Sequence, residues 1–212
     1  MEKKFLTIDF KASYSKIGSK NHQTKNIWLI FHGYGQLSEE FSKSFSPLIS
    51  DENILLFPQG LSKFYLKGVD RQIGASWMTS YERELDIGNY TNYLDRLFEY
   101  EVKPFRKNIK LCLLGFSQGG HTASRWISNS NVNYDKLILW GSGLAYEIGQ
   151  SHIKENFSSG KNVIVVGDQD RFIDSTQLMQ AKRRYSKIGF KYKLIEYHGG
   201  HDILPDVLAD IV

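Results

Sequence analysis

The stretch that decides the fold is Ile109-Lys-Leu-Cys-Leu-Leu-Gly-Phe-Ser-Gln-Gly-Gly120. Its first six residues are an apolar run of strand length, and a helix-length amphipathic stretch follows it. Between the two lies Gly115-Phe-Ser-Gln-Gly119, a G-x-S-x-G. A strand that turns at once into a helix through this pattern is a nucleophile elbow, which holds the serine hydroxyl out at the strand tip in a strained backbone conformation. The residues two before and two after the serine pack against each other, so only small side chains fit. Glycine fills both places, and Gly120 gives the helix further room to approach the strand. The five letters alone are a weak signal; their context between strand and helix carries the reading.

Working outward, short apolar runs alternate with helix-length amphipathic stretches, which predicts βαβ units and a mostly parallel sheet. Buried strands are expected at Asn26–Phe31, Ile54–Phe57, 109–114, Lys136–Trp140, Asn162–Val166 and Lys191–Tyr197. Helices are expected around Leu37–Ile49, Glu84–Glu101, 118–129, 174–187 and after Pro205, with a helix or helix plus loop in 143–158. The alternating Lys4–Ile17 segment offers one or two antiparallel edge strands, and 59–80 reads as a long surface loop. No repeat, low-complexity tract or linker interrupts the 212 residues, so one domain, 1–212, is expected.

Composition excludes several function classes. The chain is 41% hydrophobic and 24% charged with a net charge of +4, ordinary for a globular protein. Its basic residues are scattered; the short cluster Lys182-Arg183-Arg184 reads as a solvated helix face, and no nucleic-acid partner is expected. The single cysteine, Cys112, lies inside a strand and reads as a buried structural thiol. No metal-ligand spacing, phosphate loop or dinucleotide fingerprint occurs, so no cofactor is expected. The absence of a signal peptide pattern and of any apolar run near ~20 residues points to a cytoplasmic protein without integral membrane association.

A serine hydroxyl needs a base, and the base needs an orienting acid. Two strands end in suitable groups: Val163–Val166 runs into Gly167-Asp168-Gln169-Asp170, and Lys191–Tyr197 into His198-Gly199-Gly200-His201. Acid and base thus sit at the carboxyl ends of successive strands, the edge where open parallel sheets bind ligands. The residues lean to Asp170, which reaches further along its loop, and to His201, which follows two glycines; Asp168 and His198 stay open as alternatives. Asp174 reads as a helix N-cap. The oxyanion donors expected are the backbone N–H of Gln118 and one from His32-Gly33-Tyr34-Gly35.

These pieces resemble the phospholipase/carboxylesterase family of α/β-hydrolases, which includes bacterial carboxylesterases and acyl-protein thioesterases. The resemblance rests on His32-Gly-Tyr-Gly35, Phe57-Pro-Gln59, Ser76-Trp77, Gly115-Phe-Ser-Gln-Gly-Gly120, Gly167-x-x-Asp170 and Gly200-His201. It implies an α/β-hydrolase fold without a large lid, with Ser117 as nucleophile, Asp170 as orienting acid and His201 as base. It also implies the Tyr34 and Gln118 amides as the oxyanion hole and places Trp77 beside the acyl pocket. Two departures stand out: Asp170-Arg171-Phe172-Ile173 in place of a proline after the acid, and Met78-Thr79-Ser80 after Ser76-Trp77. Tyr65, Trp77 and Met78, in or beside 59–80, are the expected substrate surface. Trp28, Trp126 and Trp140 read as core, and His22, His121 and His152 as surface or capping residues.

The expected activity is hydrolysis of a small-molecule carboxylic ester, with lysophospholipid or thioester as the alternative substrate. A catalytically silent binding protein of the same fold is the rival of a different class. The sequence is compatible with a homodimer but locates no interface.

Overall fold

The structure is a computed structural model that describes residues 1–67, 72–130 and 132–212. Seven strands form the main sheet: β1 (Tyr14–Ile17), β2 (Asn26–Phe31), β3 (Asn53–Pro58), β6 (Lys110–Phe116), β7 (Lys136–Trp140), β8 (Lys161–Gly167) and β9 (Lys193–Tyr197). Their order is β1-β3-β2-β6-β7-β8-β9, with β1 antiparallel to β3 and every other pairing parallel. From β2 the chain first builds outward to β3, then returns to β6 and builds the other way. The loops after β2 and β6 therefore flank the point where the winding direction reverses, which is where such sheets leave a crevice for ligands.

Side chains alternate across the strands and supply two cores. On one face Leu29, Phe31, Leu113 and Leu139 pack with Tyr90 and Leu94 of helix α2 (Arg83–Leu97) and with Trp126 of helix α3 (Gln118–Ser130). On the other face Trp28, Ile30, Phe57, Leu114 and Trp140 pack with Phe41 and Phe45, and with Leu208 of helix α6 (Pro205–Ile211). All three tryptophans read as core are buried, and Cys112 is too, its thiol pushed up to about 11 by burial and so unreactive near neutral pH.

Two elements differ from their expected form. The helix around Leu37–Ile49 is a short α1 (Ser38–Ser42) followed by a 3₁₀ stretch, Lys43–Leu48, because Pro47 has no N–H to continue an α-helical ladder. The segment 143–158 takes the second of its two expected forms, a loop plus one short helix, α4 (Gln150–Asn156). The expected 59–80 loop contains an antiparallel pair, β4 (Ser62–Tyr65) and β5 (Ile73–Ser76), while its residues 68–71 lie outside those described. Gly74, which blurs the strand period there, has a physical reason to be glycine: a Cβ would lie 2.6 Å from the Gly35 oxygen. Helix α5 (Ser175–Ile188) begins as expected with Asp174, whose carboxylate accepts the Gln177 N–H at 2.7 Å, and ends at Gly189 with φ +77°.

The elbow itself is packed backbone to backbone. A Cβ on Gly119 would sit 2.2 Å from the Phe31 oxygen and 2.6 Å from the His32 oxygen, and one on Gly115 would sit 2.4 Å from the Gly120 Cα. Since neither neighbour is the tip of a flexible side chain, Gly119→Ala is expected to destabilise the fold by about 3 kcal/mol, the range of an overpacked core. Urea unfolding measures this, and an unchanged midpoint would show that the strand and helix can separate freely.

Candidate active site

Ser117 sits between β6 and α3 with φ +52°, one of two non-glycine residues at positive φ among those described. The strained turn is held from both sides: the Ser117 N–H donates to the Trp140 oxygen at 3.0 Å, and its carbonyl accepts the Ser142 hydroxyl at 2.7 Å. Gln118, the next residue, is the first of α3, so its amide has no intrahelical acceptor. Its side chain is committed to structure: Oε1 accepts the Trp77 N–H at 3.0 Å and Nε2 donates to the Met78 oxygen at 2.8 Å.

Both acid–base pairs that the sequence leaves open do form, in different settings. Asp168 pairs with His198 at 3.0 Å on the open surface, and the same carboxylate accepts the Gly199 N–H at 3.0 Å. Asp170 pairs with His201 at 2.6 Å, with the carboxylate side chain fully buried. Its other oxygen accepts the Phe172 N–H at 2.8 Å. The carboxylate accepts a hydrogen bond from the Nδ1–H of His201, which leaves Nε2 as the ring's free acceptor. His201 lies between Phe116, 4.8 Å away, and Phe172, 4.7 Å away. His201 and Ser117 line one cavity of about 800 Å³, whereas His198 does not reach it. Among the described residues no hydrogen bond joins the Ser117 hydroxyl to the His201 ring; the two groups share the cavity wall.

The turn after β2 forms a further part of that wall. The Gly33 N–H is taken by Gln36 Oε1 at 2.7 Å, that of Gly35 by the Ala75 oxygen at 2.8 Å and that of Gln36 by the Gly33 oxygen at 3.3 Å. Among the described residues this leaves the Tyr34 amide as the one in the turn without an acceptor. The buried His32 ring fixes the turn from behind. Its Nδ1 donates to the Gly33 oxygen at 2.7 Å and its Nε2 accepts the Gly60 N–H at 2.9 Å.

Not every expected site residue reaches the cavity. Trp77 is 1% exposed, stacks on His32 at 5.0 Å and donates its indole N–H to the His32 oxygen at 2.9 Å. It is a base plate for the turn after β2 and has no face left for a ligand. Met78 packs inward, its sulfur 3.4 Å from the Arg125 guanidinium. Tyr65 is exposed on β4. None of the three lines the cavity.

Residues that read otherwise in the sequence do line it. His121, one helical turn beyond Ser117 on α3, is expected at the surface or in a cap; its ring instead faces the cavity. Phe172, Leu178, Ala181 and Tyr185 come from the segment after Asp170 and from α5. The i, i+4 spacing of His121 from Ser117 could have flagged it; the others carry no signal distinct from ordinary helix patterning. Nor is Arg184 part of a solvated face, since it donates to the carbonyls of Leu144, Ala145, Tyr146 and Ile148. Among the described residues no group of three or more His, Cys, Asp or Glu could hold a metal ion, and no helix is long and apolar enough to cross a membrane.

A mostly parallel sheet wound both ways, a serine at a positive-φ elbow and a buried Asp–His pair beside it define an α/β-hydrolase. Residues 12–212 match the family described as Phospholipase/Carboxylesterase, and the chain belongs to that family. Its fold is similar to that of acyl-protein thioesterase 2 from Zea mays, at 14% identity and a TM-score of 0.70, covering 95% of this chain and 96% of that one. It is also similar to the Bacillus cereus carboxylesterase, at 13% identity and a TM-score of 0.64, covering 94% and 91%. No curated protein matches the sequence.

Burial, aided at His121 by the positive Arg125, holds the His32 and His121 rings down to about 4, well below the ordinary histidine value. Below about pH 6.5 an unfolded chain protonates these rings while the folded one does not, so stability is full above that pH and falls as pH drops toward 4. For His32 the full effect is on the order of 3 kcal/mol. The denaturant midpoint is expected to fall already between about pH 6.5 and 5.5, before the carboxylates take up most of their protons; a flat midpoint in that window would contradict the neutral rings.

Proposed function

We propose that the protein is a serine hydrolase that cleaves carboxylic esters through an acyl-enzyme on Ser117, the whole chain acting as one catalytic domain. The observation that carries this reading is the shared cavity wall: Ser117 on a strained elbow, and His201 with its Nδ1 bound to the buried Asp170 at 2.6 Å.

With an ester bound, His201 Nε2 takes the Ser117 proton as Oγ attacks the acyl carbonyl. The carbonyl π pair moves to oxygen, and the free amides of Tyr34 and Gln118 stabilise that oxyanion; each such donor is worth about 2.7–4 kcal/mol in related sites. Collapse expels the alkoxide, which leaves with the proton held by His201. Water then repeats the sequence on the acyl-serine: His201 removes its proton, hydroxide adds, and Ser117 departs with the proton returned. Asp170 stays ionised and holds the imidazolium orientation throughout. Thioesters enter by the same attack, with a thiolate as leaving group, and no step calls for a cofactor. A small-molecule substrate met in the cytoplasm fits this reading.

Ser117→Ala is expected to reduce turnover of p-nitrophenyl esters by about 10⁴-fold or more and to abolish labelling by a fluorophosphonate. His201→Ala should do the same to turnover. Labelling that persists in Ser117→Ala would remove the assignment, and tight ligand binding by a wild-type protein that no fluorophosphonate labels would favour the non-catalytic rival.

A further inference from the structure

Helix α5 is the least packed long helix of the fold. It spans 14 residues and buries only Tyr185, whereas the 13 residues of α3 bury eight, Gly119, Gly120, Thr122, Ala123, Ser124, Arg125, Trp126 and Ile127. Yet the inner side of α5 is apolar and faces the sheet: Leu178, Ala181 and Tyr185 recur at helical spacing and line the cavity that holds Ser117. Opposite them stand Ile164 and Val166 of β8 and Leu194 of β9. Leu178, Ala181, Tyr192 and Leu194 rest only partly buried against the core, and beside them an apolar cleft runs on from the Ser117 cavity; an unfilled cleft weakens a fold. Ala181, with one carbon in its side chain, stands midway along the roof and keeps the cleft open.

The cleft has a direction. β8 and β9 run toward the catalytic edge and α5 runs away from it, so Val166 and Leu178 lie toward that edge, while Tyr192, just before β9, closes the far end against Tyr185, whose hydroxyl reaches back to the loop beyond β7. These two rings meet edge to face at 5.4 Å, and the Tyr185 hydroxyl is anchored by the Leu144 N–H at 3.0 Å. From Leu178 to Tyr185 the roof is about 10 Å long, at 1.5 Å per residue. The polar wall groups His121 and Ser142 belong to the Ser117 end, and the charged ones, Arg171 and Lys182, are exposed at the rim, where Lys182 also lies 3.4 Å from Glu196. Among the described residues nothing charged lines the interior of the cleft.

We propose that the cleft beneath α5 is the acyl-binding arm of the site, that it takes an aliphatic chain of medium length, and that Leu178, Ala181 and Tyr192 set that length. This rests on the ester-hydrolase reading of Ser117 and deepens it. The 59–80 segment then serves the oxyanion turn rather than the acyl chain. Its hairpin braces the turn after β2 through the bond from the Gly35 N–H to the Ala75 oxygen and the Gly74–Gly35 contact.

The test is a series of p-nitrophenyl acetate, butyrate, octanoate and palmitate. The wild-type protein is expected to prefer octanoate to both acetate and palmitate. Ala181→Phe fills the arm midway and should lower the octanoate-to-acetate ratio of kcat/KM at least tenfold; Leu178→Trp, which fills it nearer the serine, covers the case in which the first variant does not fold. Tyr192→Ala opens the far end and should move the preference toward longer chains, while Tyr65→Ala on the hairpin should leave the ratio alone. Calorimetric binding of octanoate to Ser117→Ala, weakened tenfold or more by adding Ala181→Phe, reads the arm without catalysis. Folded arm variants that keep the wild-type ratio and bind octanoate normally would overturn the proposal. A wild-type protein that hydrolyses none of the esters and resists fluorophosphonate, yet binds octanoate in an Ala181-dependent way, would instead overturn the ester-hydrolase reading and leave the arm standing.

Discussion

Direct backbone contact between the start of α3 and the ends of β2 and β6 is the constraint on which the rest of the structure depends. Gly119 meets the Phe31 and His32 carbonyls, and Gly115 meets Gly120, at separations that no side chain could share. This proximity forces the connecting residue, Ser117, to φ +52°, a conformation that costs on the order of 1–3 kcal/mol for a residue with a Cβ. The bonds to the Trp140 carbonyl and the Ser142 hydroxyl offset that strain, and both partners belong to β7 and its exit. The turn after β2 and the first amides of α3 are brought together by the same contact. A single close approach thus sets the serine, its strain and the two amides proposed for the oxyanion.

The two Asp–His pairs depend on a second backbone contact, between the exits of β8 and β9. A Cβ on Gly167 would come within 2.3 Å of the Gly199 oxygen and 2.4 Å of the Gly200 oxygen. The Gln169 N–H donates to the Gly199 oxygen at 2.9 Å, and Asp168 holds the Gly199 N–H. The two loops are one braced unit, and Asp168–His198 is its outer clasp, while Asp170–His201 is its inner pair. Both aspartates and both histidines have a partner; burial and the cavity wall separate their roles.

The sheet, the elbow and both acid–base loops are legible in the sequence because each leaves a local mark: an apolar run of strand length, glycines where backbones touch, and polar residues at strand exits. Asp174 is legible for the same reason, since a capping box spans only four residues. The fates of Trp77 and of the cavity are not. An aromatic residue in a glycine-rich stretch reads equally as a ligand surface or as packing, and what decides for Trp77 is the His32 carbonyl, 45 positions earlier in the chain. The cleft lining comes from α5, β8 and β9, where Leu, Ala, Val and Ile look like any core pattern. An absence of packing has no residue of its own to announce it. His121 misleads for a related reason: its spacing from Ser117 is visible, but nothing local says which side of α3 faces the cavity.

How α5 stays in place above a cleft follows from where it is fastened. Helix α5 packs on the core through Tyr185, Leu178, Ala181 and Ile188, and it is fastened as well at its ends and along its flank. Asp174 and Gln177 satisfy amides of its first turn, and Gly189 closes its last. Arg184 reaches four carbonyls of 144–148, and Tyr185 receives the Leu144 N–H, so the C-terminal half is bonded to the loop beyond β7. Hydrogen bonds of this kind are directional and contribute about 1 kcal/mol each, more where a guanidinium donates, and they add to the apolar contacts of Tyr185 and Ile188. The N-terminal half, with the partly buried Leu178 and Ala181, borders the cavity. The C-terminal half carries most of the long-range bonds, whereas the N-terminal half is tied mainly by its own capping box.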